Sequence, residues 1–317
     1  MTGDTPDALI ALALIVSRFL EYSAASVLMG SALFFLYALP AAGPGSAANL
    51  RWSKPLLAGA AVLLVASTLL GLLAQTAVLA GSWADALTAD SLGAVITQMD
   101  LGKAALARAA CAILAGLGAA VLPRGRKLWL VTALLGILAM ATFGWMGHGV
   151  STEGNGHTLH LVADIVHALA AAMWVGALAA FVGLVLPKDQ DFERLSAIAD
   201  ALQRFSPLGI GLVAALGVTG LINAWFLVGT HIGAALRDPY GQLLALKLMF
   251  FAAMLALAAL HRQRSVPALA ARVASQVLPH GDALASLRRS VALEALLGVA
   301  VLALVAWFGT LAPPGGM

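Results

Sequence analysis

Cysteine is almost absent: Cys111 is the single one in 317 residues. One cysteine excludes an intrachain disulfide framework and a CxxC metal or redox motif. Its setting in an apolar run predicts a small buried packing residue. Charge is also scarce. Asp, Glu, Lys and Arg make up 10% of the chain, against about a quarter in soluble domains. Hydrophobic residues make up 61% and mean hydropathy is +0.94, which together describe an integral membrane protein. No GxxxxGK[ST] occurs, so a phosphate-cradling loop and a nucleotide partner are not expected. Neither a nucleophile elbow nor HExxH is found, and the chain is expected not to be an enzyme. Its basic residues flank apolar runs instead of forming a patch, which argues against nucleic acid as a partner.

What the chain has is long apolar runs. A helix needs about 20 such residues to span a bilayer. Eight stretches qualify, approximately 8–39, 55–80, 103–122, 128–147, 158–186, 204–229, 241–261 and 290–312. None alternates like a barrel strand. The expected fold is therefore all-α: one transmembrane domain over 1–317, a bundle of about eight helices with the lipid bilayer around it. The first and fifth runs are long enough to tilt or to project. The longest connection, 262–289, has room for one short surface helix. The N-terminus lacks the positive region of a signal peptide, which predicts a retained first span.

Charge then predicts orientation. The connections after runs 1, 3, 5 and 7 hold Arg51, Lys54, Arg124, Arg126, Lys127, Lys188, Arg194, Arg204, Arg262, Arg264, Arg272, Arg288 and Arg289. The opposite connections and both termini hold only Arg237. The positive-inside rule places both termini outside the cytoplasm. The 2–3 connection with Asp85, Asp90 and Asp100 then also faces out, as does the 4–5 connection.

That 4–5 connection is where chemistry concentrates. Four of the seven histidines, His148, His157, His160 and His167, fall within twenty residues, together with Met146, Glu153 and Asp164. Polar side chains at a membrane boundary are costly and mark functional sites. Imidazole nitrogens are common metal ligands, and a thioether suits copper(I). His160, Asp164 and His167 are spaced i, i+4, i+7. At about 100° per residue they share a stripe about 60° wide, and Trp174 continues it inward. His148 closes run 4, with Met140 about two turns deeper. Asp164 can orient a ligating histidine, ligate through oxygen or carry a proton. His157 sits in a loop as an accessory ligand, and His231 is a weaker candidate. The bland alternative is a helix end packed on its neighbours through structural hydrogen bonds.

A second set of polar residues lies within the spans: Arg18 and Glu21 in run 1, with Tyr22 nearby; Lys103 and Arg108 in run 3; Lys247 in run 7; Glu294 in run 8. Each costs at least about 2.5 kcal/mol if left in lipid. They are expected to face the bundle interior and pair, either as structural ties or along a transport path. Sequence alone does not assign the pairs, and His261 and His280 on the basic side have no assigned role.

Several stretches together resemble the copper resistance protein D (CopD) family of bacterial inner-membrane proteins. They are Arg18-Phe-Leu-Glu-Tyr22, Gly147-His148, Leu159-His160, His167-Ala-Leu-Ala-Ala-Ala-Met-Trp-Val-Gly176, Phe205-Ser-Pro207, Thr219-Gly-Leu-Ile-Asn223, Tyr240-Gly241 through Lys247, and Arg288-Arg-Ser-Val-Ala-Leu-Glu294. The pattern departs at Glu21, where the family usually has histidine, and at His261, where it usually has asparagine. The resemblance implies copper as the metal, Cu+ or Cu2+, and import from the periplasm. It also implies a separate CopC-like periplasmic copper-binding partner. The expected ligands are His148, His160 and His167, with Met146, His157 and Asp164. Two alternatives stay open: a b-type haem protein with His148 and His167 as a ligand pair, and a copper sensor or scaffold that moves nothing.

Overall fold

The computed structural model describes residues 5–40, 46–146, 154–187, 192–230, 233, 236–275 and 281–312. Every regular element among them is helical. Eight helices are long and apolar enough to cross a membrane: Ala8–Tyr37, Ser53–Ala80, Asp100–Val121, Arg126–Trp145, His157–Val185, Arg194–Val228, Pro239–Ala271 and Ala285–Phe308. These are spans 1 to 8 below. Helices are what such a sequence must form, because lipid offers no partner for backbone N–H and C=O groups and a helix satisfies them internally.

The order of packing divides the bundle. Span 1 packs on spans 2 and 4 and, through its centre, on span 5, while span 2 packs between spans 1 and 3. In the second half span 5 packs on spans 6 and 8, and span 8 on spans 1 and 7. The most extensive link between the halves is a close crossing of spans 1 and 5. There Val27–Ser31 adopts a π-helical turn, and Ser31 Oγ donates to the Gly176 carbonyl at 2.8 Å. Both helices present glycine here. A Cβ on Gly30 would meet Gly176 Cα at 2.8 Å. Small residues let helices approach this closely where lipid supplies no hydrophobic drive.

Basic side chains at one end have partners within the fold. Arg194 donates from Nε to Leu184 O at 3.0 Å and from Nη2 to Gly183 O at 3.1 Å, while Arg288 donates to Val185 O and Pro187 O, each at 2.8 Å. Two guanidiniums thus cap the orphan carbonyls ending span 5, where a helix carries partial negative charge. Lys54 does the same for span 3, donating to Leu122 O at 3.0 Å.

Three features differ from the apolar pattern. The helix containing span 6 begins at Phe192, well before residue 204, and runs unbroken past Pro207. The 2–3 connection folds into two short helices, Trp83–Ala86 and Ala89–Gln98. Their N-caps Ser82 and Thr88 accept from the backbone N–H of Asp85 and Ser91. Span 7 continues through a π-helical turn, His261–Ser265, into Val266–Ala274. Cys111 is half-buried against the main core, more exposed than expected.

Candidate functional site

Polar side chains inside the bundle form two separate groups. The first lies among spans 1, 3 and 4. Arg108 is 0% exposed and Glu21 1%, and the Arg108 Nη1–Glu21 Oε2 ion pair joins them. Arg108 Nε donates to Thr142 Oγ1 at 3.0 Å, Nη2 lies 2.7 Å from Met146 Sδ, and the guanidinium carbon stands 3.7 Å from the centre of the Phe143 ring. Tyr22 packs edge-on against Phe143 with centroids 4.9 Å apart. One cation is therefore held on every side, and Met146 is one of its neighbours. Met140 is buried in the apolar core.

The second group runs down span 5. The stripe of His160, Asp164 and His167 faces span 6, where Phe226, Asn223 and Thr219 repeat its spacing in the antiparallel sense. His160, 1% exposed, stacks on Phe226 with centroids 4.7 Å apart and planes 8° apart. Asn223 Nδ2 lies 3.4 Å from Asp164 Oδ1. His167 Nδ1 is 3.0 Å from Thr219 Oγ1. The Thr219 hydroxyl donates its hydrogen to Ala215 O, so its oxygen can only accept from His167. In the tautomer protonated at Nδ1, which this arrangement accommodates, the lone pair stands on Nε2. A hydroxyl on one ring nitrogen fixing the other as a ligand is how metal-binding histidines are oriented.

Below, Trp174 continues the stripe as its spacing predicts, but its partner is on span 8. Trp174 Nε1 donates to Glu294 Oε1 at 3.1 Å. Phe205 of span 6 and Phe251 of span 7 flank the indole with centroids at 6.4 and 6.3 Å. The second Glu294 oxygen pairs with His261 Nδ1 at 3.3 Å, and His261 Nε2 lies 2.6 Å from Ser290 Oγ. The charges of spans 7 and 1 meet the far end of span 8. Lys247 Nζ stands 5.5 Å from the centre of the Phe308 ring, and Arg18 Nη1 donates to Gly309 O. Lys247 also lies close enough for its charge to act on Asp164 and His167.

The sequence-predicted site is thus brought together in part. His160, Asp164 and His167 share a face and have partners on span 6. His157 opens span 5, half-buried. His148, Glu153, His231 and His280 lie outside the described residues. Among the described residues no group of three or more His, Cys, Asp or Glu is placed to hold a metal ion. Lys103 pairs with Asp100 at the exposed start of span 3, 3.0 Å apart, away from both groups. Sequence reasoning missed Thr219, Asn223, Ser290 and the use of His261. The i, i+4, i+7 repeat on span 6 was the available signal for the first two.

Eight helices around buried polar groups define a multi-pass α-helical membrane protein. The copper resistance protein D-like N-terminal domain model matches residues 7–158, and the copper resistance protein D model matches residues 199–308. Copper resistance protein D of Pseudomonas syringae pv. tomato is 35% identical over 307 residues, which cover 94% of this chain and 96% of that one. Copper transport protein CutJ of Bacillus subtilis (strain 168) is 26% identical over 94% of this chain, which spans about half of that longer protein, 52%. No solved structure matches. The chain belongs to the copper resistance protein D family.

Proposed function

We propose that this protein carries copper across the bacterial inner membrane into the cytoplasm and acts as a transporter, not an enzyme. Copper is the cargo here, arriving as Cu+ or Cu2+. It binds at the outer face, where span 5 begins, through His148, His160 and His167. Met146, His157 and Asp164 assist. The positive-inside distribution of Arg and Lys supports that orientation. A separate CopC-like periplasmic copper-binding protein delivers the metal.

The observation that carries this reading is the His167–Thr219 contact, which leaves the Nε2 lone pair for a cation on the stripe shared with His160 and Asp164. Met146 joins only if its sulfur gives up the Arg108 guanidinium, so it serves as a transient ligand.

The test is cellular copper content with and without the protein, measured for the wild type and for the variant with His148, His160 and His167 all replaced by Ala. We expect the wild type to raise copper content and the triple variant to abolish the rise. Equal accumulation by both would sink the ligand assignment. Copper bound stoichiometrically with no change in content would favour a sensor or scaffold, and a Soret band in the purified protein would favour haem.

A further inference from the structure

The Trp174–Glu294–His261–Ser290 cluster has no part in metal capture, yet every member of it has a hydrogen-bond or ion-pair partner inside the bundle. Glu294 is 3% exposed and His261 9%. They sit on neighbouring helices, and each of the two charged or chargeable groups has a partner on either side. Burying an acid and an imidazole this deep is costly unless both are paired. Trp174 could pack equally well against an apolar residue at position 294.

Position gives the cluster a role. Span 5 carries His160, Asp164, His167 and Trp174 in line. From His160 to Trp174 is about 21 Å along the helix at 1.5 Å per residue. Glu294 receives the Trp174 N–H, and His261 and Ser290 continue towards the basic end. A surface cavity of about 430 Å³ there is lined by Leu257, Ala285, Ser286, Arg289, Ser290 and Leu293. Ser290 belongs both to the hydrogen-bonded chain and to the cavity wall. The cluster therefore stands between the deepest residue of the stripe and water.

Its hydrogen-bond polarity suits a proton. Glu294 accepts from Trp174 through one oxygen and from His261 Nδ1–H through the other. The neutral imidazole then accepts from Ser290 at Nε2. A proton entering from the cavity binds Nε2. The Ser290 hydroxyl turns from donor to acceptor, as a free rotor can, and its hydrogen passes to the carbonyl one turn back in its helix, a common serine contact. The product is an imidazolium–carboxylate pair, with no other bond changed.

The surrounding charges leave that pair to itself. On span 8, Arg288 is committed to Val185 and Pro187 carbonyls, and Arg289 lines the cavity. On span 7, Lys247 is 14 residues away, about 21 Å up the helix. Arg262 and Arg264 beside His261 are exposed. Span 5 offers no ionisable group nearer than His167. On span 1, Arg18 is at Gly309 and Glu21 is bound to Arg108. On span 6, Arg204 is exposed.

We propose that the His261–Glu294 pair, with Ser290 as its gate to water, is a proton site at the basic end that gives up its proton as the copper cation arrives. This rests on the transport reading above and adds to it a proton-controlled gate on the basic side. Protonated, the pair is net neutral and offers a descending cation no attraction. Loss of its proton to the cavity leaves a net negative pair that attracts it. Acid on the basic side therefore holds the site protonated and slows delivery.

The test uses right-side-out membrane vesicles, whose lumen is the basic side, supplied externally with copper(I) kept reduced by ascorbate at constant external pH. We expect wild-type uptake to fall as the lumen is acidified. Glu294→Gln and His261→Gln should take up copper at rates that ignore lumen pH. Ser290→Ala, which leaves the pair intact, should move the dependence to a different lumen pH. Copper bound by purified Glu294→Gln should equal the wild-type amount, which shows the outer site is still folded. Wild-type uptake that ignores lumen pH, or variants that keep the wild-type dependence, would overturn the proton site while leaving transport standing. No wild-type uptake at any lumen pH would instead overturn the transport reading, and this proposal with it.

Discussion

Replacing Glu21 by Gln preserves volume and leaves the Arg108 guanidinium without a counter-charge in a site closed to solvent. Breaking a buried pair from one side costs about 3–5 kcal/mol. Glutamine still offers a carbonyl to Arg108, so about 3 kcal/mol is the expected figure. Removing Arg108 should cost more, because Arg108→Met also abolishes the bond to Thr142 and the contact with the Phe143 ring. A hydrogen bond to a charged group contributes about 1.5–3 kcal/mol and a desolvated cation–π contact about 2 kcal/mol. The double variant buries no charge at all. Its cost should therefore fall below the sum of the single costs by at least about 2 kcal/mol, the coupling energy of the pair. The assay is denaturant unfolding of the purified protein in detergent, followed by tryptophan fluorescence, for the wild type, both single variants and the double variant. Additivity to within about 0.5 kcal/mol would refute the pair as a structural tie.

Two further outcomes follow from contacts already described. Gly30→Ala places a methyl against Gly176 Cα at 2.8 Å and Met173 O at 3.1 Å, both backbone and unable to step aside. Overpacking of this kind costs about 1–3 kcal/mol. The same unfolding assay should show it, and an unchanged midpoint would contradict the crossing. Thr219→Val removes the acceptor that fixes His167, and loss of such a supporting partner lowers metal affinity about 10–100-fold. Competition with a copper(I) chelator measures it, and unaltered affinity would remove His167 from the ligand set.

The spans were legible because membrane helices advertise themselves as apolar runs, and all eight are where those runs lie. The start of the span 6 helix was hidden by Arg194, Asp200 and Arg204, which interrupt the run. Yet Leu195, Ile198 and Ala201 sit completely buried on the other face, so this segment is amphipathic, not a loop. The short helices at Trp83 and Ala89 were announced only by their caps, Ser82 and Thr88. The stripe on span 5 was legible because 3.6-residue periodicity is local. Its partners were not, because Thr219, Asn223 and Phe226 lie more than 50 residues on. The pairing of Glu21 with Arg108, and of Glu294 with His261, depends on which helices are neighbours. Apolar composition carries little of that information.

The two polar groups differ in a way that bears on movement. Arg108 ties spans 1, 3 and 4 through Glu21, Thr142, Phe143 and Met146, so shifting any of those helices breaks several contacts at once. The span 5 stripe instead faces span 6, which buries 17% of its apolar window, and span 7 buries 6%, against 39–56% for the other six. Helices with few buried contacts are displaced at least cost. A carrier must alternate between arrangements that open its path to either side. On the proposed transport reading, His160, Asp164, His167 and Trp174 are flanked by spans 6 and 7, the two with the smallest buried share, while the Arg108–Glu21 pair ties spans 1, 3 and 4. On the same reading the first half is the frame. Span 6, which holds the partners of the stripe, and span 7, which holds His261, are the parts whose motion would pass the cation on.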